Sequence, residues 1–143
     1  MDYKGLGFYQ KAKQVVKEIN VEVKKWQNSL QAQTISRQLF RAAVSVGANI
    51  AEGHGRHPGR EYIHFLLIAR GSANEVDHWL RTAQDCKIGN PDVLNHLISL
   101  NDETRKMLTS SVHSIQARLG DKTIRESPIP YSLNPYPLVD EDD

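Results

Sequence analysis

The chain has 143 residues, a length that fits one domain with a single hydrophobic core. Hydrophobic residues make up 39% and charged residues 24%, and no apolar run reaches the roughly 18 residues of a membrane-spanning helix. The single cysteine, Cys86, cannot close an internal disulfide, and the N-terminal residues lack the apolar stretch of a secretion signal. Together these features favour a cytoplasmic protein that does not associate with membranes.

The net charge of +1 is unevenly distributed along the chain. Residues 1–56 hold nine Lys or Arg against four Asp or Glu, whereas residues 121–143 hold two against six. We therefore expect a mildly basic folded part over residues 1–120. It is followed by an acidic, proline-rich tail over residues 121–143 that is extended or disordered. The basic part permits an anionic partner without requiring one.

The first predicted helix runs from about residue 6 to 28. Apolar residues recur there from Phe8 to Trp26, and on to Leu30, in alternating steps of four and three, the spacing of one helix face. Lys13, Lys17 and Lys24 fall on a stripe well away from that face, with no acidic residue among them. This stripe is the first candidate for a partner-binding surface.

A second helix is predicted from an N-cap near Thr34 to Gly53. Arg37 and Arg41 point away from its apolar face. The other side chains of this helix are small on nearly every face, which is typical of a helix that is covered on more than one face. The small residues are Ala43, Ser45, Gly47, Ala48 and Ala51.

A breaker at residues 54–59 precedes a third helix, predicted over residues 60–88. Its core face starts at Tyr62 and Phe65, so that Ile63 and Leu67 should point outward. An outward apolar patch at Ile63 and Leu67 suggests a contact between subunits. With Ala48, these residues form the predicted oligomer interface.

The fourth helix is predicted to start with Asn90 as its cap and Pro91 in its first turn, and to end at Gly120. Four helices joined by short connections, with no competing strand pattern, predict an all-α fold. We expect an antiparallel up-and-down four-helix bundle that assembles as a homo-oligomer.

Patterns typical of catalysis and metal binding are weak in this chain. Glu-x-x-His occurs at Glu61–His64 and Glu75–His78, but both pairs lie on one helix, about 21 Å apart along its axis. The turn at residues 54–59 could hold a phosphate beside its arginines, although a solvent-exposed turn fits the pattern better. We therefore expect no enzyme activity, no metal, no cofactor and no small-molecule substrate.

Phosphate groups are bound largely through Lys and Arg, with little sequence information. An ordinary solvated surface remains the alternative reading for a single subunit, and oligomerisation would turn a weak patch into a continuous one. No aromatic residues accompany the basic ones, so stacking of single-stranded bases is not indicated. The candidate phosphate contacts are Lys13, Lys17, Lys24, Arg37 and Arg41.

A second group of polar and small residues lies at the end of the second helix and in the middle of the third. We interpret this group as specifying helix packing, with its carboxylates capping helices or pairing with Arg41, Arg56 or Arg70. A role in partner binding remains the alternative. The group comprises Asn49, Glu52, Gly53, Ser72 and Glu75.

The segment from Ser36 to Gly53, followed by Arg56, together with the segment from Phe65 to Glu75, resembles the 23S rRNA intervening-sequence proteins. The resemblance implies an all-helical protomer that forms a barrel-like homopentamer. It also implies a relationship to the accessory variability proteins of diversity-generating retroelements, whose basic pentamer binds a reverse transcriptase and nucleic acid. It supplies no catalytic residues.

Two functions follow as expectations. The first is a non-enzymatic, cytoplasmic homo-oligomer, pentameric by resemblance, that binds structured RNA or a ribonucleoprotein partner through its basic surface. The alternative is a protein–protein interaction module that binds no nucleic acid. A third alternative, a bundle enzyme or metal carrier, would rest on the Glu-x-x-His pairs alone.

Overall fold

The computed structural model describes residues 2–56 and 59–120. Within these ranges the chain forms four α-helices and no strand: α1 (Gly7–Val23), α2 (Leu30–His54), α3 (Arg60–Asp85) and α4 (Pro91–Leu119). A single turn of 3-10 helix, Tyr3–Gly5, precedes α1. The predicted all-α architecture of four helices is confirmed, while the predicted tail at 121–143 lies outside the described residues.

The four helices form a closed antiparallel bundle. Each helix packs against the next one in the chain, and α1 also packs against α4. The contact between α2 and α3 is the most extensive of these. The small residues of α2 explain this, because helices without bulky side chains at their contact approach more closely.

Two helix boundaries at the first connection differ from the prediction. α1 ends at Val23 rather than near residue 28, and α2 begins at Leu30 rather than near Thr34. Ser29 caps α2 by accepting a hydrogen bond from the Ala32 amide, while the Thr34 hydroxyl donates to the Leu30 carbonyl inside the helix. Leu30, predicted on the apolar face of the first helix, is 75% exposed.

The other helix ends follow local sequence signals closely. Asn90 caps α4 by accepting from the amides of Asp92 and Val93, and Gly120 ends the helix in a left-handed conformation, as predicted. α3 ends at Asp85, three residues before the predicted end. The chain then turns through Lys87 at φ 56°, a left-handed conformation that a non-glycine residue rarely adopts.

The predicted outward patch on α3 is wrong. Ile63 is fully buried and Leu67 is 6% exposed, and both belong to the hydrophobic core. α3 packs against α2 on one side and against α4 on another, so it buries a wider arc than one amphipathic face. The apolar residues that break the amphipathic pattern are therefore covered within a single chain, and they offer no surface for a second subunit.

No helix in the described ranges is long and apolar enough to cross a membrane.

Candidate nucleic-acid and subunit interfaces

The three lysines predicted on the first helix remain on the surface, Lys13 and Lys17 within α1 and Lys24 directly after its end. Lys13, Lys17 and Lys24 are exposed, and none forms an ion pair or hydrogen bond through its side chain with any described residue. We call these three residues the lysine stripe. Lys11, on the other flank of α1, differs because its ammonium group lies 2.7 Å from Glu103 Oε2 of α4. The lysine stripe is thus positive charge that the bundle itself does not neutralise.

The two predicted arginines of α2 behave differently from each other. Arg37 is exposed and makes no ion pair with a described residue. Arg41 is half-buried, and its guanidinium group donates to Gln38 Oε1 at 2.8 and 3.1 Å and to Glu75 Oε2 at 3.3 Å. Arg41 was predicted to point away from the packed face, and this orientation is wrong. It joins α2 to α3, which leaves it poorly placed for phosphate binding.

A buried polar network lies where α2 and α3 cross. The hydroxyl oxygens of Ser45 and Ser72 are 2.8 Å apart, so one donates to the other. Asn49 Nδ2 donates to the Ser45 carbonyl at 2.9 Å and to Ser45 Oγ at 3.0 Å. All three residues are buried, and this placement agrees with a packing role for Asn49 and Ser72.

α4 also contributes a buried hydrogen bond to this part of the bundle, one that was not predicted from the sequence. Asn101 of α4 is 2% exposed and donates through Nδ2 to the Ala73 carbonyl of α3 at 2.9 Å. In the sequence, Asn101 stands among the apolar-face positions of the fourth helix. A polar residue at such a position is the signal that could have identified it.

Gly53 lies where α2 and α3 come closest near their connected ends. A Cβ atom at this position would stand 2.6 Å from Phe65 Cβ and 3.2 Å from Tyr62 Cδ2. No side chain fits there without displacing α3. Glu52, next to it, is exposed and accepts from Arg56, whose guanidinium group also donates to Glu61 at 3.1 Å. These two carboxylates raise the pKa of Arg56 above its ordinary value.

Glu75 is largely covered between α2 and α3. Burial raises the pKa of its carboxyl group, and the nearby Arg41 opposes that shift without cancelling it. The ion pair with Arg41 is therefore part of the packing between the two helices. It is not a surface charge available to a partner.

A row of apolar side chains on α2 remains uncovered. Phe40 is 39% exposed, Val44 is partly exposed and Ala48 is exposed, and they follow one another at helical spacing. We call Phe40, Val44 and Ala48 the apolar stripe. Of the three residues predicted at the oligomer interface, only Ala48 lies on the surface.

The lysine stripe and the apolar stripe belong to neighbouring helices. A Cβ built on Gly47 of α2 would lie 3.5 Å from the Tyr9 ring and 3.9 Å from Lys13 Cδ of α1. Lys13 therefore lies directly beside the segment of α2 that carries Ala48. Charged and apolar surface thus meet along the α1–α2 side of the bundle.

Residues 2–56 and 59–120 contain no group of three His, Cys, Asp or Glu side chains that could hold a metal ion. Cys86 is exposed in the turn after α3.

The fold and these surfaces define a small helical-bundle protein with an uncovered basic and apolar side. A family model described as 23S rRNA-intervening sequence protein matches residues 4–110, and the chain belongs to this family. A solved structure of a protein of unknown function from the S23 ribosomal protein family, from Bacteroides thetaiotaomicron VPI-5482, is similar to it. The two chains share 25% identity with a TM-score of 0.63, over 73% of this chain and 97% of the other. No curated protein matches the chain significantly.

Proposed function

We propose that this protein is a non-enzymatic homo-oligomer that binds structured RNA or a ribonucleoprotein partner through the lysine stripe. The observation that carries the proposal is the absence of any ion pair at Lys13, Lys17 and Lys24 among the described residues, although other lysines of the bundle are paired. Unpaired lysines at a surface release counterions when they meet phosphates. Arg37 extends the positive surface onto α2, whereas Arg41 does not.

The oligomer in this proposal forms through the apolar stripe. An exposed aromatic ring beside two small aliphatic residues suits contact with another helix, and small residues allow close approach. The family resemblance implies five protomers. Since Lys13 lies beside this part of α2, a ring of protomers would repeat the lysine stripe around one assembly, which strengthens weak individual contacts.

Charge removal tests the nucleic-acid part of the proposal. The double variant K13Q/K17Q removes two unpaired charges, and R81Q/K106Q removes two paired ones, so the net charge is matched. Binding of fluorescent double-stranded RNA is measured by anisotropy over a range of salt concentrations. We expect K13Q/K17Q alone to weaken binding and to reduce the slope of log K against log salt by about 0.9 per lost contact.

Equal effects of the two double variants would show that only net charge matters and would refute the assignment to the lysine stripe. No measurable RNA binding by the parent protein at low salt would refute the RNA proposal itself.

Light scattering after size exclusion tests the oligomer. We expect a mass near five protomers for the parent protein and a smaller mass for A48R, which places a charge within the apolar stripe. The control is G71R, because Gly71 lies on the exposed side of α3 with no atom within 4 Å of its missing Cβ. An A48R assembly of unchanged mass would place the interface elsewhere, and a monomeric parent would refute oligomerisation.

The protein-interaction module remains the second candidate, because of the same apolar stripe and the exposure of Leu30 and Val21 at 75% and 56%. An oligomer whose mass is unaffected by cellular RNA at low salt, but which retains one protein partner in a pull-down, would favour this function.

A further inference from the structure

One end of the bundle contains a cavity of about 440 Å³ between the α1–α2 and α3–α4 connections. Cavities of this size hold small organic ligands. Its lining residues include one glutamate, two lysines and several apolar residues. The residues that matter below are Glu22, Lys25, Trp26, Lys87, Ile88 and Val93.

Glu22 is the unusual member, because it is a carboxylate that is only 4% exposed and forms no ion pair. Its Oε2 atom accepts from the Trp26 indole N–H at 2.9 Å and from the Asn90 amide at 3.1 Å. Its Oε1 atom accepts no hydrogen bond from any described residue. Because Oε1 is not enclosed by the protein, it is available to accept from a ligand that carries N–H donors.

Gly89 allows this arrangement to form. Its φ of 88° is left-handed, and a Cβ at this position would stand 2.7 Å from Trp26 Nε1 and 3.2 Å from Glu22 Oε2. The α3–α4 connection therefore packs directly onto the hydrogen bond between the indole and the carboxylate. This packing fixes the Glu22 side chain at the cavity wall.

Lys25 and Lys87 give the cavity its positive charge. Neither ammonium group pairs with a carboxylate among the described residues. Lys87 also stands at the position after a helix where glycine is the usual residue, with a backbone strained at φ 56°. Glycine there would relieve the strain but would remove an ammonium group from the cavity, so a strained lysine at this position suggests a ligand contact.

These features together restrict the chemistry of the ligand. The two lysines outweigh the one carboxylate, so the cavity attracts negative charge, while Glu22 accepts hydrogen bonds from N–H donors. A ligand with N–H donors at one end and negative charge at the other satisfies both. Among the bases, guanine presents adjacent N–H donors at N1 and N2, and the phosphate of its nucleotide supplies the negative charge.

We propose that this cavity binds a guanosine monophosphate group, with the guanine N–H donors on Oε1 of Glu22, since Oε2 is occupied by Trp26 and Asn90, and with the phosphate near Lys25 and Lys87. Trp26, Ile88 and Val93 provide the apolar wall for the planar base. The group can come from a free nucleotide or from an unpaired guanosine within an RNA. A free amino acid carries similar charges but leaves much of the cavity empty.

The test is to titrate the whole protein with GMP and with AMP and to monitor the NMR signal of the Trp26 indole N–H. The W79F variant, which lacks the other tryptophan, identifies this signal. We expect the signal to shift with GMP, with an affinity in the range of about 1 mM or tighter, and about tenfold more weakly with AMP. A signal unmoved by GMP, or an equal affinity for AMP, overturns the proposal. Tighter binding of the free amino acid alanine than of GMP would also overturn the proposal, because it would assign the cavity to amino acids.

Two variants separate ligand binding from folding. K87G should raise the melting temperature by about 2–4 °C through relief of strain, yet weaken GMP about tenfold. E22Q should keep its carbonyl oxygen on the Trp26 and Asn90 donors and turn its amide N–H toward the cavity, which abolishes the preference for guanine. GMP affinity that K87G leaves unchanged, or that K4Q at an exposed site outside the cavity reduces equally, contradicts the proposal.

The two sources of the nucleotide are distinguished with short single-stranded RNA. A heptamer with one central guanosine should bind more tightly than GMP if the source is RNA, and an all-adenosine heptamer should not. If the heptamer is no tighter than GMP, the source is the free nucleotide. The proposal does not depend on the lysine stripe, since neither Lys13 nor Lys17 lines the cavity; a loss of RNA binding in K13Q/K17Q therefore leaves the GMP result to stand on its own.

Discussion

The α2–α3 contact and the α1–α4 contact both contain polar side chains, but they use them in opposite ways. Between α2 and α3, Ser45, Asn49 and Ser72 are buried and hydrogen-bonded to one another. Between α1 and α4, the pairs along the helices lie at the surface, Lys11 with Glu103 and Glu18 with His96. The buried carboxylate of Glu22 is bonded only at the start of α4, to the cap residue Asn90. A buried polar group that loses its partner costs free energy, so the buried network disfavours any other alignment of α2 and α3. Solvated ion pairs allow many alignments, because water replaces a lost partner. The first contact specifies the fold, and the second leaves α1 free to present charge.

The largest effect is expected at the close approach within the first contact. G53A would place its methyl group 2.6 Å from Phe65 Cβ, an atom that cannot rotate away. We expect destabilisation at the upper end of the range for overpacking, about 3 kcal/mol. G71A is the matched control, because nothing lies within 4 Å of its Cβ, and alanine there should stabilise the helix by about 0.5–1 kcal/mol. Urea denaturation measures both changes.

If G53A unfolds at the same urea concentration as the parent protein, α2 and α3 can separate without cost. The contrast between the two helix contacts would then be lost.

The next effect concerns the two hydroxyl groups of the buried network. S45A or S72A alone removes one hydroxyl and leaves the other without that partner, at a cost of about 1–2 kcal/mol. S45A/S72A removes both, so we expect it to cost clearly less than the sum of the single changes. A double-mutant cycle on free energies of unfolding measures this coupling, and strict additivity would contradict it.

A smaller effect is expected in how the free energy of unfolding depends on pH, where Glu75 and Glu103 should contribute with opposite signs. Burial raises the pKa of Glu75 above its ordinary value of 4.5, so the folded protein holds this proton more tightly than the unfolded chain. Its contribution to stability is therefore present at low pH and is lost as the pH rises through 4.5 to the folded-state pKa. In E75Q this decline should disappear from the free energy of unfolding measured between about pH 4 and 7.

Glu103 should behave in the opposite way. Its hydrogen bond with Lys11 lowers the pKa of the carboxyl group, so its contribution is present above the ordinary pKa of 4.5 and is lost as the pH falls through the folded-state pKa. E103Q should therefore remove a rise in stability with pH. A decline removed by E103Q, or a rise removed by E75Q, would contradict the assigned environments.

The smallest effect on stability is expected for the surface pair of Lys11 and Glu103 at neutral pH. K11M and E103Q should each leave the urea midpoint nearly unchanged, because solvent and salt screen the ion pair, and any change should vanish at high salt. A loss comparable to that of S45A would show that the α1–α4 contact is as demanding as the α2–α3 contact.

Much of the fold could be predicted from local sequence signals. Asn90 with Pro91 and Gly120 marked the ends of α4, because caps depend on the residue itself and its immediate neighbours. The placement of Ile63 and Leu67 could not be predicted in this way. Whether an apolar residue off the main face is exposed depends on how extensively the neighbouring helices cover its own, and α3 makes the two most extensive helix contacts of the bundle, with α2 and with α4.

The residues of the candidate sites also divide into those whose placement follows from local sequence and those whose placement does not. The exposure of Lys13, Lys17 and Lys24 followed from helical spacing, because α1 buries one face only. The sequence offered Arg41 as one of three arginines that could pair with the carboxylates of Glu52 and Glu75, and the structure pairs it with Glu75. The burial of Glu22 was missed, because it depends on a residue far away in sequence.

By itself, the sequence determined four helices, most of their ends and the small residues that let α2 and α3 pack closely. Those features depend on interactions within a few residues of each position. Only the tertiary structure decided which apolar side chains remain uncovered, that Arg41 pairs with Glu75, and that a buried carboxylate, a strained lysine and a tryptophan meet in one cavity. These arrangements arise because packing four helices brings together groups that lie far apart in the chain, 68 residues in the hydrogen bond from Asn90 to Glu22.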